Sequence, residues 1–425
     1  MGKVFNTVAS LTASAISRSN RKKALKKINR VNEANRNVAK IGRVSSDQII
    51  PSSYPMGNLC ITGGTQEVRN ALVVQNCMQS CSVGVPTIVL HEGNHHLEHD
   101  LGAVCGSQYY FRLINSAHPY YDPIFRLSDN ETATTIVNAA LPEHKIDTAG
   151  VLYLGALSKL LRKRGITPYI RMLASCPHNN IQSVVQNEEQ AGRITAAEAT
   201  AIRNDIAAGD SARASVEYFF SQLQGESSII AWKSHLSRCT SIAECVRSGG
   251  IMAIDIGSTN KRTQLSLIAA EIEKCVMSGT SLRVIVDATS LLSNEKLRNL
   301  LKNSSGSLAW TLSCPDVSNM VSSTREELSS WLAMAHKTVL FSHSIRTAQM
   351  LSSELGEYDH IEVTQSHAGN NGIGQFGFHF GVNNNVSTTN KRERVVKPEE
   401  IENLAEREFI LLDNNTATLH KGILS

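Results

Sequence analysis

The chain has 425 residues and a formal net charge of +4, with 41% hydrophobic and 19% charged residues. This composition indicates a globular protein of more than one domain, and the absence of an apolar run of about 18 residues argues against a membrane span. Nine cysteines lie scattered without a C-x-x-C pair, which predicts buried free thiols. Without a recognisable secretion signal, we expect a cytoplasmic protein.

The first 45 residues form a basic arm, with eleven Lys or Arg against one acid, which leaves 31 basic and 37 acidic residues elsewhere. Apolar residues from Leu25 to Ile41 recur at helical spacing and predict an amphipathic helix. The candidate contact residues are the basic side chains around that stripe: Arg21, Lys22, Lys23, Lys26, Lys27 and Arg30. Such a helix suits DNA or an anionic membrane surface. The alternative is a solvated arm that packs on the body of its own chain.

A polar linker follows the arm, and after it comes a strand–loop–helix pattern that resembles a phosphate-binding loop. In the pattern G-x-x-x-x-G-K-[ST] counted from Gly63, Val68 replaces the second glycine, Arg69 the lysine and Asn70 the hydroxyl residue. Valine disfavours the positive φ that glycine allows, arginine is planar and bulky, and an amide replaces a magnesium ligand. The sequence therefore predicts the remnant of a nucleotide site at Gly63, Gly64, Arg69 and Asn70.

Apolar runs then alternate with segments of helical periodicity, which predicts an α/β fold with a mostly parallel sheet and helices on both faces. The predicted strands are Leu59–Ile61, Pro86–Leu90, Gly250–Ile256, Leu282–Val286, Leu308–Leu312, Thr338–Phe341 and Phe409–Leu412. Residues 133–236 lack strand signals, and a capping box at Thr195 opens a helix, so we expect an all-helical insertion there. The α/β core then comprises residues 46–132 and 237–425, and residues 369–391, rich in Gly, Asn, Ser and Thr, predict a loop.

The run His91-Glu92-Gly93-Asn94-His95 matches the H-E-x-x-H motif, in which two histidines on one helix face bind zinc and the glutamate activates water. Two features oppose this interpretation: the residues before the first histidine predict a strand, and Gly-Asn weakens a helix between the two ligands. A metal site here would use His91, His95 and His99. A zinc-dependent hydrolase is therefore kept as an alternative function.

A later apolar strand ends in Asp287, followed by Ala288. In P-loop ATPases an aspartate at this place supports magnesium, and the next residue is a glutamate that polarises the attacking water. Alanine has no group that accepts a proton. Taken alone, Asp287 is better explained as a strand-end acid that caps the next loop, which is a common arrangement.

In order and spacing, these motifs resemble the conjugative coupling proteins (TraG/TraD-like) of type IV secretion, within the FtsK/HerA superfamily of ring-forming, DNA-pumping ATPases. The similarity runs from about Tyr54 to Gly422. The segments that carry it, besides the P-loop-like segment and the helical insertion, are Val85–Leu90 with the turn after it, Tyr120–Leu127, Gly250–Ile256, Asp287, Arg346–Gly356 and Arg392–Leu412. The resemblance implies a P-loop NTPase fold, ATP with Mg²⁺ as cofactor, a homo-oligomeric ring, and DNA or secretion proteins as partners.

The chain departs from this family at its catalytic positions. The family's lysine and Ser/Thr fall on Arg69 and Asn70, its acid pair on Asp287 and an alanine, and its polar sensor near Ser313 and Cys314. The basic arm stands where the family has a membrane-spanning segment. We therefore expect a non-catalytic relative without catalytic residues or a firmly bound cofactor, which self-assembles or binds DNA or secretion proteins. The alternatives are an active DNA-translocating ATPase and the zinc hydrolase.

Overall fold

A computed structural model describes residues 22–36, 49, 56–226, 229–257, 261–303, 306–317, 325–374, 377–416 and 418–424. The described chain falls into two compact units. The core unit lies within residues 44–340, and the second unit combines the N-terminal helix α1 (residues 22–36) with residues 341–424. The boundaries predicted for the arm, the core and the insertion remain predictions, and Arg21 lies outside the described residues.

The core unit is built on seven parallel strands. These are β1 (Leu59–Thr62), β2 (Thr87–His91), β3 (Phe111–Ile114), β4 (Ile251–Asp255), β5 (Leu282–Val286), β6 (Leu308–Cys314) and β7 (Lys337–Leu340). They pair in the order β7-β1-β6-β5-β2-β4-β3. β1, β2, β5 and β6 are buried along their whole length, as expected for parallel strands covered on both faces. The predicted α/β fold is confirmed, although the short strand β3 was not predicted.

Twelve described helices accompany these strands. They are α2 (Gln66–Ser82), α3 (His95–Val104), α4 (Asp129–Ala139), α5 (Thr148–Lys163), α6 (Ile170–Ala174), α7 (Ile181–Gln190), α8 (Ala196–Gly209), α9 (Arg213–Glu226), α10 (Ile242–Arg247), α11 (Arg262–Met277), α12 (Glu295–Lys302) and α13 (Arg325–Met334). Helices α4 to α10 follow one another between β3 and β4. Capping boxes at Ser128 and at Thr195 start α4 and α8, and the second of these was predicted. All nine cysteines are free thiols and eight of them are buried, also as predicted.

The second unit contains, after α1, two helices, a long hairpin and a second, shorter hairpin. Its elements are α14 (Ile345–Glu354), β8 (Glu357–Gly374), β9 (Gly377–Arg394), α15 (Pro398–Glu402), β10 (Glu408–Asp413) and β11 (Thr418–Ile423). β8 and β9 pair antiparallel from end to end. The loop predicted for residues 369–391 is therefore wrong, because backbone pairing between adjacent strands forms a ladder even where the composition is rich in turn residues.

Among the described residues, no helix is both long enough and apolar enough to cross a bilayer.

Candidate functional site

The P-loop-like segment connects β1 to α2 by only three residues. Gly63 and Gly64 have φ values of +82° and +65°, the left-handed region that glycine enters without strain. Thr65 then caps α2, and its hydroxyl accepts the Val68 N–H at 3.5 Å. Because α2 already begins at Gln66, the residues that align with the lysine and the hydroxyl of the motif lie within the helix instead of at the end of an extended loop.

The Arg69 side chain turns back onto this short loop. Its Nη1 donates hydrogen bonds to the carbonyl oxygens of Gly63 at 3.1 Å and Gly64 at 2.7 Å. The residue is only 7% exposed, and burial lowers the pKa of the guanidinium, an effect that the nearby Asp287 carboxylate opposes. The cation at the lysine position of the motif is therefore bound by carbonyl oxygens of the loop itself.

Asp287, at the end of β5, is the centre of a hydrogen-bonded network. Its two oxygens accept hydrogen bonds from Asn94 Nδ2 and from the Ser313 hydroxyl. Asn94 also donates to Asn70 Oδ1 at 2.9 Å, and its own Oδ1 accepts the Leu97 N–H at 3.0 Å, which caps α3. Burial raises the pKa of Asp287, whereas its hydrogen bonds to Ser313 and Asn94 lower it. The carboxylate that would support magnesium is thus held by neutral side chains.

The H-E-x-x-H sequence does not lie on one helix. His91 is the last residue of β2, Gly93 has a φ of +65°, and α3 begins at His95. The two histidines therefore do not occupy one helix face, as the zinc-peptidase motif requires. Glu92, which would activate water in that motif, instead accepts a hydrogen bond from the Ser290 hydroxyl at 2.6 Å.

Two carboxylates lie beside these histidines that the sequence analysis did not single out. His95, Glu98 and Asp255 each place one ligand atom within 4.8 Å of the others. His99, by contrast, has a side chain that is 82% exposed and pairs with the adjacent Asp100. The sequence signal for Asp255 is its position at the end of a strand, because the carboxyl ends of neighbouring parallel strands meet at one edge of the sheet.

The imidazole of His91 lies next to the two carboxylates of this group. It is fully buried, with Nε2 at 3.7 Å from Glu98 Oε1 and Nδ1 at 3.9 Å from Asp255 Oδ1. Burial lowers the pKa of His91, although Asp255 and Glu98 oppose this effect. His91 is therefore neutral near pH 7.

The basic helix α1 is attached to the long hairpin by one face. Asn32 forms two hydrogen bonds with the backbone of Ile361, at 3.1 and 2.9 Å, and Asn35 donates to the carbonyl of Asp359 at 3.1 Å. Five of the basic residues that were predicted as contacts lie in the described part of the chain, and all five are exposed: Lys22, Lys23, Lys26, Lys27 and Arg30. At 3.6 residues per turn they cover one face about 140° wide, opposite the two asparagines. The helix therefore packs on its own chain and still presents a basic face to solvent.

No family model matches the chain, and no curated protein matches it in sequence. Solved structures of the bacterial conjugative coupling protein TrwB do match it. Its unbound form aligns over 94% of this chain and 92% of that chain, with a TM-score of 0.53 and 15% identity. Its complex with the GTP analogue GDPNP has the same coverage, a TM-score of 0.52 and 16% identity. Its complex with ADP and Mg²⁺ aligns over 93% of this chain and 91% of that chain, with a TM-score of 0.52 and 17% identity.

At this level of identity, the likeness shows the fold. The chain has the α/β, P-loop NTPase-like fold of a conjugative coupling protein, so the fold relationship implied by the sequence resemblance is confirmed.

Proposed function

We propose that this chain, which has the fold of conjugative coupling proteins, is a non-catalytic P-loop-type subunit. In this proposal it self-assembles, and it binds DNA through its basic helix α1. The main support for a loss of catalysis is that Arg69 donates hydrogen bonds to the loop carbonyls of Gly63 and Gly64, at 3.1 and 2.7 Å. A phosphate-binding loop directs amide N–H groups and a cation toward the phosphates. Here the cation neutralises the loop's own carbonyl oxygens.

Binding of a nucleotide would require the site to be rebuilt. Releasing Arg69 would break two hydrogen bonds from a charged donor, each worth roughly 1.5–3 kcal/mol. Magnesium would also have to displace Asn94 from Asp287, and Asn70 offers no hydroxyl to replace it. Ala288 follows Asp287 and cannot polarise water. Binding and hydrolysis are therefore opposed by separate features of the site.

We expect the purified protein to turn over ATP at least about 100-fold more slowly than once per second, because it lacks both the general base and the magnesium hydroxyl ligand. Steady-state phosphate release, with and without DNA, measures this. The variant Arg69→Lys with Asn70→Ser restores two letters of the motif. It should remain inactive, because α2 begins too early for an extended loop. Turnover near one per second that Arg69→Ala abolishes would instead support an active DNA-translocating ATPase.

We further propose a closed homo-oligomer, cytoplasmic and peripheral to the inner membrane, that contacts conjugation or secretion proteins. The support is the shared fold with coupling proteins, and fold-level analogy is the whole of that argument. A monomer by light scattering at micromolar concentration, with and without DNA, would contradict it.

The basic face of α1 supports DNA as the partner of this helix. Five cations lie on one face, and two hydrogen-bonded asparagines hold the opposite face on the hairpin. Such a helix is already folded before binding, so it loses little conformational entropy when it meets a phosphate backbone. Its lysines contact phosphates without reading sequence.

We expect duplex DNA to bind with a slope of log affinity against log salt near −4.5, since each phosphate contact contributes about −0.9. Affinity should then fall about 500-fold between 50 and 200 mM salt. Fluorescence anisotropy with a labelled duplex measures both quantities. Replacing the pair Lys22 and Lys26 with glutamine should make the slope shallower by about 2.

The matched control replaces two exposed lysines of the core unit, Lys145 and Lys233, with glutamine. It should leave the slope within experimental error of the wild-type value. Equal effects of the two pairs, or a flat salt dependence, would refute DNA binding by α1. Binding to anionic vesicles and not to DNA would assign the helix to a membrane surface.

A further inference from the structure

The histidine and carboxylate cluster at the carboxyl ends of β2 and β4 has no part in the proposed function. It contains His95, Glu98 and Asp255, which each bring one ligand atom within 4.8 Å of the others. Three segments of chain meet there: the end of β2, the first turn of α3 and the end of β4. Strands β2 and β4 are hydrogen-bonded neighbours, with His91 directly opposite Asp255.

His91 gives a second and independent indication of a ligand. Its side chain has no solvent exposure, and neither ring nitrogen has a hydrogen-bond partner among the described residues. Buried polar atoms are almost always satisfied, so such an imidazole requires an explanation. Its Nε2 lies 3.7 Å from Glu98 Oε1, which is too long for a hydrogen bond and close to the spacing of two ligands around one ion. Its other nitrogen, Nδ1, lies 3.9 Å from Asp255 Oδ1, also beyond hydrogen-bond distance.

We propose that His91, His95, Glu98 and Asp255 form a binding site for a divalent transition-metal ion of the zinc type. Two imidazoles and two carboxylates are a donor set that zinc accepts in four-coordinate sites. Calcium and magnesium prefer oxygen ligands throughout, so the histidines select against them.

The side chains around the site are arranged to hold its carboxylates. Asn115 Nδ2 donates to both oxygens of Glu98, at 3.2 and 3.3 Å. Asp255 Oδ1 accepts the N–H groups of Gly93 and Gly257, both at 2.8 Å, which leaves its second oxygen for an ion. Outer hydrogen bonds of this kind orient metal ligands in known sites. The ion serves as a cross-link between β2, α3 and β4 and not as a hydrolytic centre, because Glu92 is bonded to Ser290.

The test uses the full chain without a histidine tag, stripped with a chelator and titrated with zinc against a competing chelator dye. We expect one equivalent to bind and to raise the melting temperature. His95→Ala should weaken binding at least about 100-fold, and its side chain is 74% exposed, so folding is preserved. Asp255→Asn, which keeps the oxygen bonded to the two glycines, should weaken it at least about 10-fold.

His99→Ala is the matched control, because His99 lies one turn further along α3 and is also exposed. It should change zinc affinity by less than about 2-fold, since it is not a ligand of the proposed site. Stoichiometric binding that His95→Ala and Asp255→Asn reduce and His99→Ala does not would support the site. No binding by the wild type, or equal losses in His95→Ala and His99→Ala, would overturn it and leave only surface histidines. Neither result depends on ATP hydrolysis.

Discussion

Asn94→Ala should lower the free energy of unfolding of the core unit by about 3 kcal/mol, through loss of a helix cap and of a hydrogen bond to a carboxylate. The side chain is 4% exposed, caps α3 and donates to Asp287. Removal leaves the buried Asp287 oxygen and the Asn70 amide without this partner. Urea unfolding followed by tryptophan fluorescence measures the change, because Trp232, Trp310 and Trp331 all lie in the core unit.

Asn294→Ala is a closely matched control. Asn294 is also a buried cap, its Oδ1 accepts the Leu297 N–H at 3.0 Å, and its amide donates only to neutral groups. Its replacement should cost about 1–2 kcal/mol. The excess cost at Asn94 should vanish when Asp287 is replaced by alanine in a double-mutant cycle. Equal costs at the two asparagines, or no coupling to Asp287, would show that the network does not stabilise the fold.

This measurement also separates a remnant from a working site. Residues of an active site are commonly held at some expense of stability, so their replacement is often neutral or stabilising. A large loss at Asn94 would mean that the hydrogen-bonded network around Asp287 serves to hold the sheet edge together. A gain in stability would favour a site still under functional constraint.

The strands were predictable because parallel strands buried on both faces appear as continuous apolar runs. β5 was predicted with the bounds that it has, Leu282–Val286. β3 was not predicted because it has only four residues and is only partly buried, like many strands at the end of a sheet. The long hairpin was not predicted because β8 and β9 pair through their backbones, and the composition of residues 369–391 does not reveal this pairing.

Some residues of the candidate site could be identified from sequence patterns, but their contacts could not. Alignment to the phosphate-loop pattern identified Arg69, and the apolar strand that ends in an acid identified Asp287. Neither pattern gives the direction of the arginine side chain, which depends on where Thr65 starts α2. The approach of Glu98 to Asp255 depends on the order of strands in the sheet. These residues are far apart in sequence, and no spacing rule brings them together.

Glu271→Gln should raise the free energy of unfolding by about 3 kcal/mol at pH 8 and by less than about 1 kcal/mol near pH 5. Glu271 is 1% exposed on α11 and accepts hydrogen bonds from the Tyr121 hydroxyl at 2.7 Å and the Ala243 N–H at 2.9 Å. Burial raises its pKa from 4.5 to about 7. The folded state therefore holds a proton that the unfolded state releases, so Glu271 favours folding at low pH, and this contribution is lost as the pH rises from about 4.5 to 7.

The measurement compares the free energy of unfolding of the variant with that of the wild type at each pH. Buried histidines with lowered pKa values, such as His144 and His178, titrate equally in both proteins and cancel in this difference. Burial also raises the pKa of Asp122 to about 7, but the corresponding substitution there should have the opposite effect on stability. Its oxygens accept the N–H groups of Ile124 and Ile170, so the amide of Asp122→Asn would face a donor and destabilise the fold at every pH. In Glu271→Gln, by contrast, the new amide can donate to the Tyr121 hydroxyl, which then accepts the hydrogen bond instead of donating it. A difference for Glu271→Gln that stays constant from pH 5 to 8 would show that the carboxyl is already ionised in the folded protein.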